Sequence, residues 1–192
     1  MLKLYGSTTS PFARRLRMWL ANTEHEFINL QIFAGPDREL LAARNPTMKI
    51  PMLEDDGEMI FDSRVIFRYL SDKFQYPALS WEMENLLTLI DSANDSFVQL
   101  LISQRSDFKV DTDKLFFKLH YDRVNATLSH LNAIVTDDRF KAWQYPQICL
   151  YCLLDWVEFR QLHDLSGLDN LLAFQGLHKD RIEVTATDPR CD

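Results

Sequence analysis

Ser7-Thr-Thr-Ser-Pro-Phe-Ala-Arg14 gathers hydroxyls and a proline where an apolar run, Leu2–Tyr5, gives way to a helix-like pattern. A strand feeding such a turn into a helix sets the orphan N–H groups of the first turn beside the hydroxyls of Thr9 and Ser10. Amides, hydroxyl and helix dipole together stabilise an anion there, a thiolate included. The same residues also satisfy an ordinary helix start, with Ser10 as N-cap and Pro11 at the first helical position. A second constellation is Asn45-Pro-Thr-Met-Lys-Ile-Pro51-Met-Leu53. A proline just before a short apolar strand removes a ladder donor, which suits either a structural edge position or a cis bond that leaves the Ile50 backbone open to an extended peptide. A third is Asp62-Ser63, where a carboxylate, a hydroxyl and helix-start amides coincide, although capping alone also accounts for it.

The elements that must position these residues follow from periodicity. Leu2–Tyr5 reads as a strand, and Phe12, Leu16, Trp19 and Leu20 trace one helical stripe after Pro11. Phe27–Leu30 reads as a second strand and Pro36–Arg44 as a short helix, so a βαβ unit with a parallel pair is the economical arrangement. Ile50–Leu53 and Met59–Phe61 form a hairpin across Glu54-Asp-Asp-Gly57, whose Asp-Gly step is a strong turn signal. A helix from about Arg64 to Lys73, with Val65, Ile66, Tyr69 and Leu70 inward, completes a layer over residues 1–75. Residues 76–80 read as a linker. From Trp81 onward the spacing is helical, with long amphipathic segments over Trp81–Gln104 and Thr112–Thr136. Pro146–Leu162 is apolar over most of its surface and should be the buried central helix, Leu168–Leu177 a shorter one, and the end from Ile182 should wrap the surface.

Composition excludes several classes. Of the 192 residues 46% are hydrophobic and 26% charged, an ordinary globular balance. Residues 1–75 hold ten Lys/Arg and ten Asp/Glu, so the net charge of −7 belongs entirely to residues 76–192. No basic footprint serves a nucleic-acid backbone, and Arg14, Arg15 and Arg17 lie in a neutral half. No stretch approaches the apolar length of a membrane span, and the strand-like start is unlike a signal peptide, so a cytoplasmic protein is expected. Cys149-Leu-Tyr-Cys152 has the spacing of a redox pair, yet lies in an apolar run without the strand and turn that expose a thiolate, and reads as buried small hydrophobes. His25, His120, His130, His163 and His178 form no short metal-ligand motif, and no metal site is expected.

Together, Ser-Pro-Phe at the first helix, Lys-Ile-Pro-Met-Leu before the third strand and Asp-Ser after the fourth resemble the soluble glutathione transferases. Among bacterial members the serine-containing Ser-Pro-Phe branch is the most similar, and Asn170-Leu-Leu-Ala-Phe174 is similar to the segment that opens the last helix there. The resemblance runs over essentially the whole chain. It implies an α/β plus all-α protein, in which a thioredoxin-like glutathione-binding domain (βαβαββα) over residues 1–75 precedes an all-helical domain, a C-terminal helical bundle, over residues 81–192.

The resemblance also implies roles. Ser10, or Thr9 beside it, would hold the glutathione thiolate. Pro51 would be cis, Ile50 would pair its backbone with the cysteinyl part, Asp62 and Ser63 would receive the γ-glutamyl end, and Lys49 would lie near the glycyl end. Phe12 borders the same cradle and, with Phe33 and Trp81, would form an apolar co-substrate wall. Arg14 is expected to face the cleft or a domain contact. Serine in place of a reactive cysteine excludes a mixed disulfide at that position, leaving conjugation to a small apolar electrophile or peroxide reduction by the bound thiolate. Glutathione is then a co-substrate, with no tightly bound cofactor. A homodimer is implied, with Phe61, Arg64, Phe67 and Arg68 at the contact. The sequence departs from the family at the central helix, where Gln147-Ile-Cys-Leu150 replaces a Ser/Thr cap followed by Asp. The expected hydrogen bonds are missing there, and Gly176-Leu-His-Lys-Asp-Arg181 replaces a more regular helix end, which together leave a catalytically weak or inactive interaction module as the alternative.

Overall fold

A computed structural model of the chain describes residues 1–191. It divides into two compact units: Met1–Leu79 joined by the tail from Asp180, and Ser80–Lys179. The expected boundary near residue 80 is close to this division. The second unit ends at Lys179, however, and the tail belongs with the first.

The first unit is a four-stranded sheet in the order β2-β1-β3-β4. Strand β1 (Leu2–Gly6) runs parallel to β2 (His25–Asn29) and antiparallel to β3 (Met52–Asp55), which pairs antiparallel with β4 (Glu58–Phe61). The β3–β4 turn places Asp56 at φ 50° and Gly57 at φ 90°. These are the two left-handed residues that a two-residue hairpin needs to match strand twist. Successive side chains alternate between faces. Tyr5 and Met52 pack with Leu30 and with Leu41 of helix α2 (Gly35–Arg44). Leu4 and Leu53, next in register, face the other way, toward helices α1 (Pro11–Trp19) and α3 (Ser63–Lys73), where Leu16, Leu20, Ile66 and Leu70 are buried. Phe67, expected at a dimer contact, is buried instead, its ring edge-on to Trp19 at 5.0 Å. Trp19 also takes Tyr76 at 5.7 Å, so part of the expected linker is packed on this unit.

Two polar clusters tie helices to the sheet. Arg44 donates to Glu54 Oε2 (2.7 Å) and to the Tyr5 hydroxyl (2.9 Å), which itself donates to Glu54. On α3, Tyr69 (2.8 Å) and Lys73 both donate to the buried Asp55 carboxylate. Burial pushes the Asp55 carboxyl up, but the hydrogen bonds from Lys73 and Tyr69 outweigh it and leave the group below the ordinary carboxylate range. The hydrogen bond to Asp55, with burial, pushes the Tyr69 phenol up to about 12.

The second unit holds α4 (Trp81–Arg105), α5 (Leu115–Ile134), a 3-10 turn at Asp138–Phe140, α6 (Tyr145–Arg160) and α7 (Asp169–His178). Every α6 residue from Tyr145 to Val157 is buried, and Cys149 and Cys152 lie within that core without forming a disulfide. Contrary to the expectation from sequence, the start of α6 does not lack its hydrogen bonds. The Gln144 N–H donates to Gln147 Oε1 (3.2 Å), and Gln147 Nε2 donates to the Arg139 carbonyl (2.7 Å). A glutamine thus serves where a hydroxyl and a carboxylate were expected. Asn132 of α5 caps α7 from outside, accepting from the N–H groups of Asn170 and Leu171 at 3.1 Å each. No helix among the described residues is long and apolar enough to cross a membrane.

Because Asp55 holds α3 through charge, its contribution has a pH signature. Asp55→Asn should lower unfolding free energy by about 1–3 kcal/mol at pH 7, the range for a disrupted buried hydrogen-bonded charge. A carboxyl depressed in the folded state contributes fully above its unfolded value, about 3.9, and loses the contribution as pH falls through the folded value. Urea unfolding of both proteins should therefore show the difference constant from about pH 5 to 7 and shrinking below about pH 4. A difference independent of pH would contradict the ionic role.

Candidate functional site

Strand register brings the three sequence constellations to one end of the sheet. Tyr5 pairs with Met52 and Met52 with Phe61, so the end of β1, the start of β3 and the end of β4 lie side by side. Gly6 pairs with Asn29, which adds the end of β2. The turn over 7–10, the loop over 49–51 and residues 62–63 therefore leave from the same end. A direct contact ties two of these exits, since the Thr8 N–H donates to Asn29 Oδ1 (3.2 Å).

Ser10 is the N-cap of α1 in extended backbone, its Oγ accepting from Ala13 N at 3.3 Å, with Pro11 as the first helical residue. A hydroxyl carries one donor and two lone pairs, so a cap that uses Ser10 as acceptor leaves its O–H able to donate elsewhere. Thr9 Oγ1 lies 3.2 Å from Ser7 Oγ, one hydroxyl donating to the other. Gly6 allows this helix start to sit tight on the sheet, because a Cβ on it would meet Ala13 Cβ at 2.6 Å. Phe12, in the first turn, is half-buried under the Arg15 guanidinium, 4.5 Å from the ring centroid.

The Ile50–Pro51 peptide is cis, as the resemblance implied, and Pro51 is buried at the head of β3. The β1–β3 ladder ends at Tyr5 and Met52, so the Ile50 backbone lies beyond the paired residues. Asp62 caps α3, its Oδ1 accepting from Arg64 N (2.8 Å) and Val65 N (3.2 Å). It does so at φ 72° and ψ 133°. That conformation lies outside the regions that non-glycine residues ordinarily adopt. Such backbone costs on the order of 1–3 kcal/mol and clusters where ligands are held. Ser63 follows as the first helical residue and is buried.

The residues expected in an apolar wall fall in both units. Phe33 leaves from the same sheet end and is 73% exposed, whereas Trp81 opens α4 in the other unit at 86% exposure. Of the two settings expected for Arg14, a cleft or a domain contact, it takes a contact with the C-terminal segment that the sequence assigns to the helical domain. It is buried within the first unit, where Nε donates to Thr187 Oγ1 (3.2 Å) and a terminal nitrogen to the Val184 carbonyl (3.1 Å).

Sequence reasoning missed Asn45. Its side chain is fully buried, donates to the Lys49 carbonyl (2.8 Å), and accepts from Thr47 N (2.9 Å) and the Thr47 hydroxyl (2.8 Å). It thereby shapes the loop that delivers Lys49 and Ile50. The Asn-Pro dipeptide, a turn initiator, was the available signal.

The family model for the glutathione S-transferase N-terminal domain matches residues 1–72. This part of the chain is similar to that domain. Over its whole length the chain has the glutathione transferase fold. A glutathione S-transferase from Methylobacillus flagellatus, solved with glutathione bound, superposes with a TM-score of 0.85 over 98% of this chain and 100% of that one, at 23% identity. A glutathione transferase family member from Pseudomonas fluorescens, also with bound glutathione, gives 0.80 over 98% and 99% at 24% identity. An uncharacterized GST-like protein of Escherichia coli, YibF, is 27% identical over 84% of both chains. Glutathione S-transferase F13 of Arabidopsis thaliana is 35% identical over 38% of this chain and 34% of its own.

Asn45→Ala strands the Lys49 carbonyl and two Thr47 donors, and should cost about 1–3 kcal/mol in urea unfolding. Tryptic cleavage after Lys49 in the native protein should accelerate. Unchanged cleavage would show that Asn45 does not hold this loop.

Proposed function

We propose that the chain is a glutathione S-transferase of the serine-containing Ser-Pro-Phe branch, which conjugates the glutathione thiolate to a small apolar electrophile. Glutathione would lie extended across the shared end of the sheet. Asp62, Ser63 and the α3 N-terminus would take the γ-glutamyl end, the Ile50 backbone the cysteinyl part, and Lys49 the glycyl carboxylate. Ser10, with Thr9 as its neighbouring alternative, would donate to the thiolate at the α1 N-terminus. One observation carries this reading: the capped starts of α1 and α3 and the cis-proline loop converge on the same end of one sheet. The bound glutathione in similar structures supports it.

The chemistry needs little from the protein beyond this. A free thiol with a pKa of about 8.5 is only a few per cent thiolate at pH 7. A hydroxyl donor and a helix N-terminus that lower it by about two units, roughly 3 kcal/mol, convert most of the bound population to nucleophile. The sulfur attacks the electrophilic carbon, a thioether forms, and the leaving group departs with the bonding pair. Exposed Phe33 and half-buried Phe12 are the apolar surface this unit offers beside the thiol. The same thiolate could reduce a hydroperoxide, with a second glutathione closing the cycle as the disulfide. The non-catalytic alternative drew in part on a missing cap at α6, and the pairing of Gln144 with Gln147 supplies hydrogen bonds at that point. We further propose a cytoplasmic homodimer, with Phe61, Arg64 and Arg68 at its contact.

Ser10→Ala should lower kcat/KM with a halonitroarene by on the order of 10²-fold, the loss of one charge-assisted donor of roughly 2–3 kcal/mol. Retention on immobilised glutathione should be unchanged. Loss in Thr9→Ala instead would move the role to Thr9. Full activity in both would refute a hydroxyl-held thiolate, and a wild-type protein that binds no glutathione would refute the function.

A further inference from the structure

The tail from Asp180 returns across the sequence to pack on the helix that begins at Ser10. Its short helix α8 (Ile182–Thr185) lies against α1, Val184 is buried, and Thr187 is buried beside it. Arg14 makes the junction. Its backbone N–H closes the first turn of α1 on the Ser10 carbonyl (2.9 Å), while its guanidinium reaches Thr187 Oγ1 and the Val184 carbonyl. Thr187 in turn donates to the Glu183 carbonyl (2.8 Å), so the group that receives Arg14 is itself fixed by the tail. Asp188 lies close enough to feel the Arg14 charge and is held by Arg190, whose Nη1 is 3.0 Å from Asp188 Oδ1. A planar guanidinium with its donors in a fixed fork sets the angle between two backbone segments in a way that an apolar contact cannot.

We infer that the C-terminal tail is a positioning clamp for the anion-binding start of α1, with Arg14 as the positioning residue that transmits it to Ser10. The clamp rests on the proposed function only in its catalytic consequence. Arg14 touches no reacting atom. It holds the turn whose amides and Ser10 hydroxyl must be aimed at the thiolate, where a small misplacement weakens electrostatic stabilisation more than binding. Because coupling between sites is reciprocal, glutathione at the α1 start should in turn quiet the tail.

The test compares wild type, Arg14→Met, Arg14→Lys and Thr187→Val by hydrogen exchange, with and without glutathione, and by the ultraviolet absorbance of the bound thiolate against pH. In the unliganded proteins, amides over 13–16 and 183–188 should exchange about tenfold faster in Arg14→Met and several-fold faster in Thr187→Val. Those over 52–61 should not change, and Arg14→Lys should recover part of the protection. With glutathione, the wild-type tail should gain protection. The thiolate midpoint in Arg14→Met should rise by about half to one pH unit, kcat falling with it while KM for glutathione changes less than about twofold. Unchanged exchange over 13–16 in the variants overturns the clamp. Faster exchange with an unmoved midpoint and kcat overturns the positioning role. Should the wild type bind no glutathione, the proposed function fails, while the unliganded exchange still decides the clamp. Should Arg14→Met fail to fold, Thr187→Val and Arg14→Lys carry the same readouts.

Discussion

The pairing of Tyr5 with Met52, and of Met52 with Phe61, decides where every candidate residue of the first unit lies. A one-residue slip in either ladder would turn Tyr5 and Met52 away from Leu30 and Leu41 and present the opposite set of side chains to α2. Burial on both faces therefore locks the register. The register, in turn, lines up the chain exits at one end of the sheet. The polar clusters then hold the helices over this frame: Glu54, Tyr5 and Arg44 on one face, Asp55, Tyr69 and Lys73 on the other. Adjacent residues of β3 serve opposite faces, so one short strand anchors both helical layers.

On that frame, helix starts contribute positive potential beside the exposed Lys49. The starts of α1 and α3 are capped by Ser10 and Asp62, and each cap consumes an acceptor while leaving the helix dipole directed at the sheet end. Asp62 accepts its two amides from a strained backbone conformation that Gly would adopt at less cost. A carboxylate retained at such a position, where it also repels an incoming anion, makes better sense if it meets a cationic group. In the binding proposed above, the amino group of a γ-glutamyl end would be a cation of that kind.

Much of this was legible in the sequence. The Asp-Gly hairpin, the Ser-Pro helix start and the β-α-β-α-β-β-α order follow from local chemistry, and a short motif suffices where backbone geometry demands a particular residue. The partners of Arg14 were not legible, whereas for Asn45 the Asn-Pro turn signal was present and only its burial against Thr47 and Lys49 went unread. Arg14 is satisfied by residues about 170 positions away, and no local pattern encodes that pairing. Phe67 failed differently, since a helical stripe shows which residues share a face but not how wide the buried arc is. Trp19 extends that arc by covering Phe67.

The start of α6 shows why the absence of a motif is weak evidence against a structure. What a buried helix start requires is an acceptor for the N-cap N–H and partners for nearby backbone groups. Hydroxyl and carboxylate meet that need in one combination. A single glutamine meets it in another, since its amide both accepts and donates: Gln147 takes the Gln144 N–H with its oxygen and returns a bond to the Arg139 carbonyl with its nitrogen. The second bond reaches back to the 3-10 turn, so the substitution also ties α6 to the segment before it. Being uncharged, the pair adds nothing to the acidity of residues 76–192, and no carboxylate has to be desolvated at this helix start. A departure from the expected residues at this point is thus a change of chemistry with the constraint preserved.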